Sequence, residues 1–187
     1  MREGPRTRGP GRPRSERAHR AILDATLELL AERGYDGLTM EGIAERAGVG
    51  KATLYRRWKS RSAVITAAVE AFVSDITVPD TGDVEVDLLH LMRSAVGVYR
   101  GTAGRVMPGL VSAMARDEAL AAAVRDDFLA GRRRALAAVL ERGIRRGQVR
   151  DDVDRELALD FLGGPLFYRL LVTGGPVDES LARGVVD

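Results

Sequence analysis

Residues 39–61, TMEGIAERAGVGKATLYRRWKSR, constrain the fold more than any other stretch because they read as two short helices meeting at a tight turn. Thr39 is a favourable N-cap, and 41–47 follows with Ile43, Ala44 and Ala47 at helical spacing. Gly48-Val49-Gly50 then breaks the helix where the chain must reverse. A second helix is expected over 51–58, burying Leu54 and Trp58 at i, i+4 and leaving Lys51, Ala52, Thr53, Tyr55, Arg56 and Arg57 for the other faces. This is the layout of a helix-turn-helix, whose second helix enters the DNA major groove. The residue types suit that role: cations and hydroxyls for phosphates, short side chains for close approach to base edges.

Composition narrows the architecture around this element. Ala, Leu, Arg and Glu abound in the 187 residues, aromatics make up 5%, and alternating β-branched runs are scarce, so an all-α fold is expected. There is no cysteine, which removes disulfides, thiolate metal sites and thiol nucleophiles. No apolar run approaches the length that spans a bilayer and no apolar N-terminal core marks a signal peptide. A soluble cytoplasmic protein without a membrane partner is expected. The net charge of +2 hides an asymmetry: residues 1–61 carry 14 Lys/Arg against 8 Asp/Glu, and 62–187 carry 15 against 19. The positive end coincides with the proposed DNA reader, as phosphate binding requires.

Residues 1–15 are rich in Arg, Gly and Pro and read as a disordered basic arm. Arg12 and Arg14 within it have two readings: an arginine hook in an A·T-rich minor groove, or phosphate contacts without base preference. A first helix is expected over 16–33, with Gly34 as its stop, and a fourth from about residue 60 through Phe72. TVPDTG at 77–82 reads as a linker. Further helices are expected at about 83–100, 104–116, 118–147, 154–173 and 178–186. Kinks or unwinding are expected at Pro108 and at Gly163-Gly164-Pro165. The Arg132-Arg133-Arg134 run reads as a solvated face.

Enzyme signatures are missing. His19 and His90 belong to no metal-ligand pattern, and the adjacent pairs Asp126-Asp127 and Asp151-Asp152 point to different helix faces. Residues 48–53 look like the end of a phosphate-binding P-loop, but position 45 is Glu, position 52 is Ala, and the preceding segment has helical rather than strand spacing. No enzyme activity and no cofactor are expected.

The pattern Thr39, Ile43-Ala44, Ala47-Gly48-Val49, Lys51, Thr53-Leu54-Tyr55, an aromatic at 58 and a basic residue at 61 resembles the TetR family of transcriptional regulators. The resemblance reaches back through the first helix to Arg33-Gly34-Tyr35, and DRELALDFLGGPLFYRLLVTGGPVD near the C-terminus is similar to one group of the family's C-terminal domains. Two positions depart from it: Gly50 stands where a serine commonly caps the recognition helix, and Gly42 sits inside the preceding helix.

The resemblance implies an N-terminal three-helix helix-turn-helix DNA-binding domain (16–61) joined to a larger helical effector-binding and dimerisation domain (62–187). It implies DNA contacts from Thr39, Lys51, Ala52, Thr53, Tyr55 and Arg56, with Arg61 on a phosphate and Trp58 in the core. It also implies a small-molecule effector of unknown identity in an apolar cavity. Candidate lining residues are Met92, Val96, Tyr99, Met107, Leu110, Met114, Phe128, Phe161 and Phe167, with His90 or Tyr99 as a polar anchor. Ordinary core packing is the competing reading for each. Homodimerisation through the last two helices is implied as well, with Leu157, Phe161, Leu166, Leu170, Leu171, Leu181 and Val185 as interface candidates or, alternatively, as monomer core. The function so expected is a repressor released from a palindromic operator by its effector. The alternative is a helical ligand-binding or scaffolding protein without specific DNA binding.

Overall fold

Hydrogen-bonding side chains just ahead of apolar runs start most of the helices. Thr39, Ser60, Asp83, Asp117, Asp154 and Asp178 each accept a backbone N–H two or three residues on, satisfying donors that a helix N-terminus leaves unpaired. The computed structural model describes residues 11–71 and 76–187, with side chains from residue 15 onward except those of 123 and 127. Among the described residues there are ten α-helices and no strand, as the composition predicts. They are α1 (Gly11–Arg33), α2 (Met40–Arg46), α3 (Lys51–Arg57), α4 (Arg61–Glu70), α5 (Val84–Arg100), α6 (Thr102–Met114), α7 (Glu118–Ala123), α8 (Ala130–Arg145), α9 (Arg155–Tyr168) and α10 (Glu179–Val186). A π-helical turn, Val124–Leu129, joins α7 to α8, and a second, Arg169–Thr173, extends α9.

The first three helices form the N-terminal unit, with α2 on α1 and α3 on α2. The turn between α2 and α3 needs Gly48, whose φ of 64° lies in the left-handed region that side chains disfavour. α4 packs against α1 on one side and α7 on the other, and Val64, Ile65 and Ala68 are fully buried. One apolar core therefore runs unbroken from Ile22 in α1 to Ala182 in α10. In the C-terminal part α5 is central, contacting α6, α8 and α10, while α9 lies beside α8 and α10. The 77–82 linker is tied down: Thr81 donates through its N–H and hydroxyl to buried Asp87 at 3.0 and 2.8 Å, and Arg146 pairs with Asp80 at 2.7 Å.

Several boundaries differ from expectation. α1 is helical from Gly11, five residues before the expected start, so only residues 1–10 of the basic arm and residues 72–75 lie wholly outside the described chain. The expected 118–147 helix is split by the π-helical turn that carries the fully buried Phe128. Helices run through both Pro108 and Pro165, and unwinding appears just beyond the second, where the Gly174 N–H reaches the Arg169 carbonyl at 2.9 Å.

Candidate nucleic-acid interface and effector cavity

The seven residues of α3 divide by burial. Leu54 is fully buried and Trp58, its C-cap, is nearly so, stacking on His19 of α1 with ring centroids 5.2 Å apart. Trp58 thus wedges the recognition helix against α1. Lys51, Ala52, Tyr55 and Arg56 are exposed on the other faces, and Thr53 is half-buried. Thr39 is exposed at the start of α2, where its hydroxyl accepts the Gly42 N–H at 3.1 Å. A Cβ at position 42 would lie 3.1 Å from that same oxygen, so a side chain there would press on the cap. Arg46 holds α2 to α1 by pairing with Glu32 at 2.7 Å and Glu28 at 3.2 Å. The Glu32 carboxyl is lowered chiefly by its hydrogen bond to Arg46.

Two cations near this face have other partners. Arg61 lies over the Tyr35 ring, 4.2 Å from its centroid, and donates to the Tyr35 and Leu38 carbonyls at 3.1 and 3.3 Å. In the absence of DNA its guanidinium closes the loop between α1 and α2. Arg57 folds back to donate to the Ser15 carbonyl at 2.9 Å. Glu41 sits beside the reading face, 3.6 Å from Lys51 Nζ and 3.4 Å from the Tyr55 hydroxyl. The side chains of Arg12 and Arg14 lie outside the described residues.

Where the N-terminal unit meets the rest, Asp117 gathers three donors: the Tyr35 hydroxyl, the Ser62 hydroxyl at 2.6 Å and the Leu120 N–H at 3.0 Å. Those hydrogen bonds, from Ser62 first and Tyr35 next, hold its carboxyl at about 2. The joint therefore carries its charge at ordinary pH. The stabilisation it brings is present above the usual carboxylate range and is lost only as pH falls toward 2. Sequence reasoning passed over Asp117; an Asp at a helix start was its one signal.

A cavity of about 310 Å3 opens between α5, α8 and α9. Of the candidate lining residues it takes in Met92, Tyr99 and Phe167. Val96, Met107, Leu110 and Phe128 are core, because α6 packs on α1 and α5 and away from the cavity, and Phe128 tucks edge-on against Tyr99. Met114 is half-buried on the same core, and Phe161 is 67% exposed on α9. Of the two polar anchors, Tyr99 lines the cavity and His90 is exposed. Burial pushes the Tyr99 phenol up to about 12. The arginine run is no uniform solvated face: Arg132 turns into the cavity wall, Arg133 pairs with Glu156 and Asp160 at its rim, and Arg134 is exposed.

The expected interface residues separate in the same way. Leu157 and Phe161 are exposed, Leu170, Leu171 and Val185 are half-buried, and Leu166 and Leu181 are monomer core. The short α10 turns its apolar face to α5 and α9, with Arg93 of α5 bonded to Glu179. Tyr168 and Val172, which sequence reasoning missed, extend the exposed set to Leu157, Phe161, Tyr168 and Val172 at i, i+4, i+11, i+15.

Two short helices joined by a tight turn pack against a larger helical unit that holds a cavity, and comparison with known proteins gives the family of this arrangement. Residues 22–68 match the model for bacterial regulatory proteins of the tetR family, and residues 78–187 match the model for the tetracyclin repressor-like C-terminal domain. The chain belongs to the TetR family of helix-turn-helix transcriptional regulators. It is 41% identical over 180 residues to the uncharacterized HTH-type transcriptional regulator YdeS of Bacillus subtilis, covering 94% of this chain and 89% of that one. It is 33% identical to the DNA-binding transcriptional repressor TetR of Mycobacteroides abscessus, covering 93% and 92%. Among solved structures, the TetR family transcription regulator SCO0332 superposes with a TM-score of 0.68 at 37% identity, over 90% of this chain and 94% of that one. No described helix is long and apolar enough to cross a membrane.

Proposed function

We propose that this regulator acts as a homodimeric repressor, without enzymatic activity, that leaves a palindromic operator when a small molecule fills the cavity between α5, α8 and α9. Lys51, Ala52, Thr53, Tyr55 and Arg56 form the reading face, with Thr39 at a phosphate and Lys51 and Tyr55 exchanging Glu41 for the DNA backbone. The observation that carries the reading is a connection. The segment from Glu118 to Arg145 has a cavity-lining side chain, Arg132, near its middle, and its N-cap, Asp117, grips Tyr35 of the N-terminal unit and Ser62 at the start of α4, the helix that follows it. A π-helical turn, an element found mostly as single turns inside α-helices and often at functional sites, separates the two. A ligand favouring one setting of this segment shifts the population of head spacings and lowers DNA affinity by the ratio of its affinities for the two states.

Selection from random duplex DNA at physiological salt tests the first half. Enrichment of a palindrome is expected, with half-sites about one helical turn apart; weak, unselective binding would refute it. Asp117→Asn tests the second half. It leaves a cap in place but weakens the charged joint, so operator affinity is expected to respond less to ligand. An unchanged response would place the coupling elsewhere.

A further inference from the structure

Arg132 is a cation that no carboxylate among the described residues answers. Arg132 enters the cavity wall with its Nε and Nη2 buried and without a hydrogen-bond partner, and among the described residues no carboxylate lies within ion-pair distance. Its company is aromatic: the guanidinium carbon is 5.1 Å from the Phe128 ring centroid and 5.5 Å from that of Tyr99. Ring faces offset only part of the cost of taking a guanidinium out of water. The carboxylate on the rim, Asp160, is already held by Arg133. Tyr99 lines the same cavity, and its phenol is a second group there able to donate a hydrogen bond. Apart from Ser94 the remaining wall is apolar, with Leu91, Met92, Leu136 and Leu159 among it.

We infer that the cavity binds a small apolar carboxylic acid as its anion, with Arg132 as the carboxylate's counter-ion. The assignment rests on the effector reading above and adds the chemical class to it. A planar guanidinium offers paired N–H donors that match a carboxylate, and it gains most where water is excluded. A neutral or cationic ligand of the same shape would leave the buried Arg132 unanswered or repel it. The volume corresponds to roughly ten water molecules' share of liquid, so a single ring system or a medium-length alkyl chain fits beside the head group.

The test uses the full chain with three probes of one shape, decanoate, decanol and decylamine, titrated by calorimetry. In the wild type decanoate is expected to bind about tenfold or more tightly than decanol, the range of a hydrogen bond to a charged group, with decylamine weakest. Arg132→Met keeps an unbranched apolar stem and should remove the preference while leaving decanol binding within about threefold. Arg132→Lys should restore part of it. Equal or stronger binding of decanol in the wild type, a preference that survives Arg132→Met, or no binding by any of the three would overturn the inference. The wild-type ranking decides the matter even if a variant fails to fold. Operator binding measured alongside separates the two readings. An Arg132-dependent carboxylate that leaves DNA affinity unchanged supports the site and refutes the effector role. Ligands that release DNA without any carboxylate preference overturn this inference and leave the repressor reading standing.

Discussion

Arg61 and Lys51 show how the same charge takes different work from its surroundings. Lys51 opens the reading helix and Arg61 follows it, but Lys51 is 65% exposed with one long contact to Glu41, whereas Arg61 donates to two carbonyls and lies over an aromatic ring. Lys51→Ala should weaken binding to all duplexes alike and flatten the salt dependence of log K by about one unit, with little change in melting temperature. Arg61→Ala should do the reverse. It leaves the loop between α1 and α2 without its clamp, and a loss of about 1–3 kcal/mol in unfolding free energy is expected, with an unchanged salt slope. Urea denaturation and fluorescence anisotropy at three salt concentrations separate the two outcomes. The sequence showed that positions 51 and 61 are basic and sit beside the reader. It could not show that Tyr35 and the carbonyl of Leu38, more than twenty residues upstream, fold back under one of them. Arg132 was illegible for the same reason: in a run of three arginines, only the turn of α8 against α5 decides which one faces inward.

Elements were legible where local chemistry alone sets them. Thr39 caps its helix as the sequence indicates, the fourth helix starts at Arg61 close to where the sequence puts it, and Gly48 turns the chain between α2 and α3. The π-helical turn Val124–Leu129 carries no such signal, because its alanine-rich approach would extend equally well as α-helix and only tertiary packing around Phe128 selects the wider turn. α9 gives the clearest case of an element shaped for a cavity. Gly163 lines it, is half-buried, and a Cβ there would meet nothing within 4 Å. Helix propensity therefore argues against the glycine by about 1 kcal/mol while space does not argue for it, unless the space is used. Gly163→Ala should raise the stability of the ligand-free protein by about 0.5–1 kcal/mol, since the new methyl adds helix propensity and partly fills a void. The same methyl should reduce the affinity of any ligand that occupies this part of the cavity. Thermal melts with and without decanoate check both signs; a Gly163→Ala protein less stable than wild type would mean that the open face at 163 is occupied in solution.

At the scale of the whole molecule, one feature remains open to water at a cost. Leu157, Phe161, Tyr168 and Val172 are 51%, 67%, 59% and 69% exposed, and their spacing puts them along one side of α9 and its extension. A contiguous exposed apolar stripe with two aromatics is rare on a monomer and is the composition of an interface core. Antiparallel pairing of α9 with its copy would cover the stripe and give the self-complementary contact that a two-fold dimer needs. Leu166 and Leu181, which the family resemblance grouped with Leu157 and Phe161 as interface candidates, are buried in the monomer, so an interface on this stripe would be narrower than that set and would include Tyr168 and Val172. Phe161→Asp places a charge in the middle of the stripe without touching the core, the reading face or Arg132. It should turn the dimer into a folded monomer by sedimentation, with its helical circular dichroism preserved. Each head would then bind its half-site alone, and affinity for a two-half-site operator should fall by about a hundredfold or more, the share that linkage of two sites contributes. A half-site duplex, by contrast, should bind wild type and variant nearly equally. If Phe161→Asp remains dimeric and keeps full operator affinity, the copies meet through another surface, and the exposed face of α9 would need a different partner to cover it.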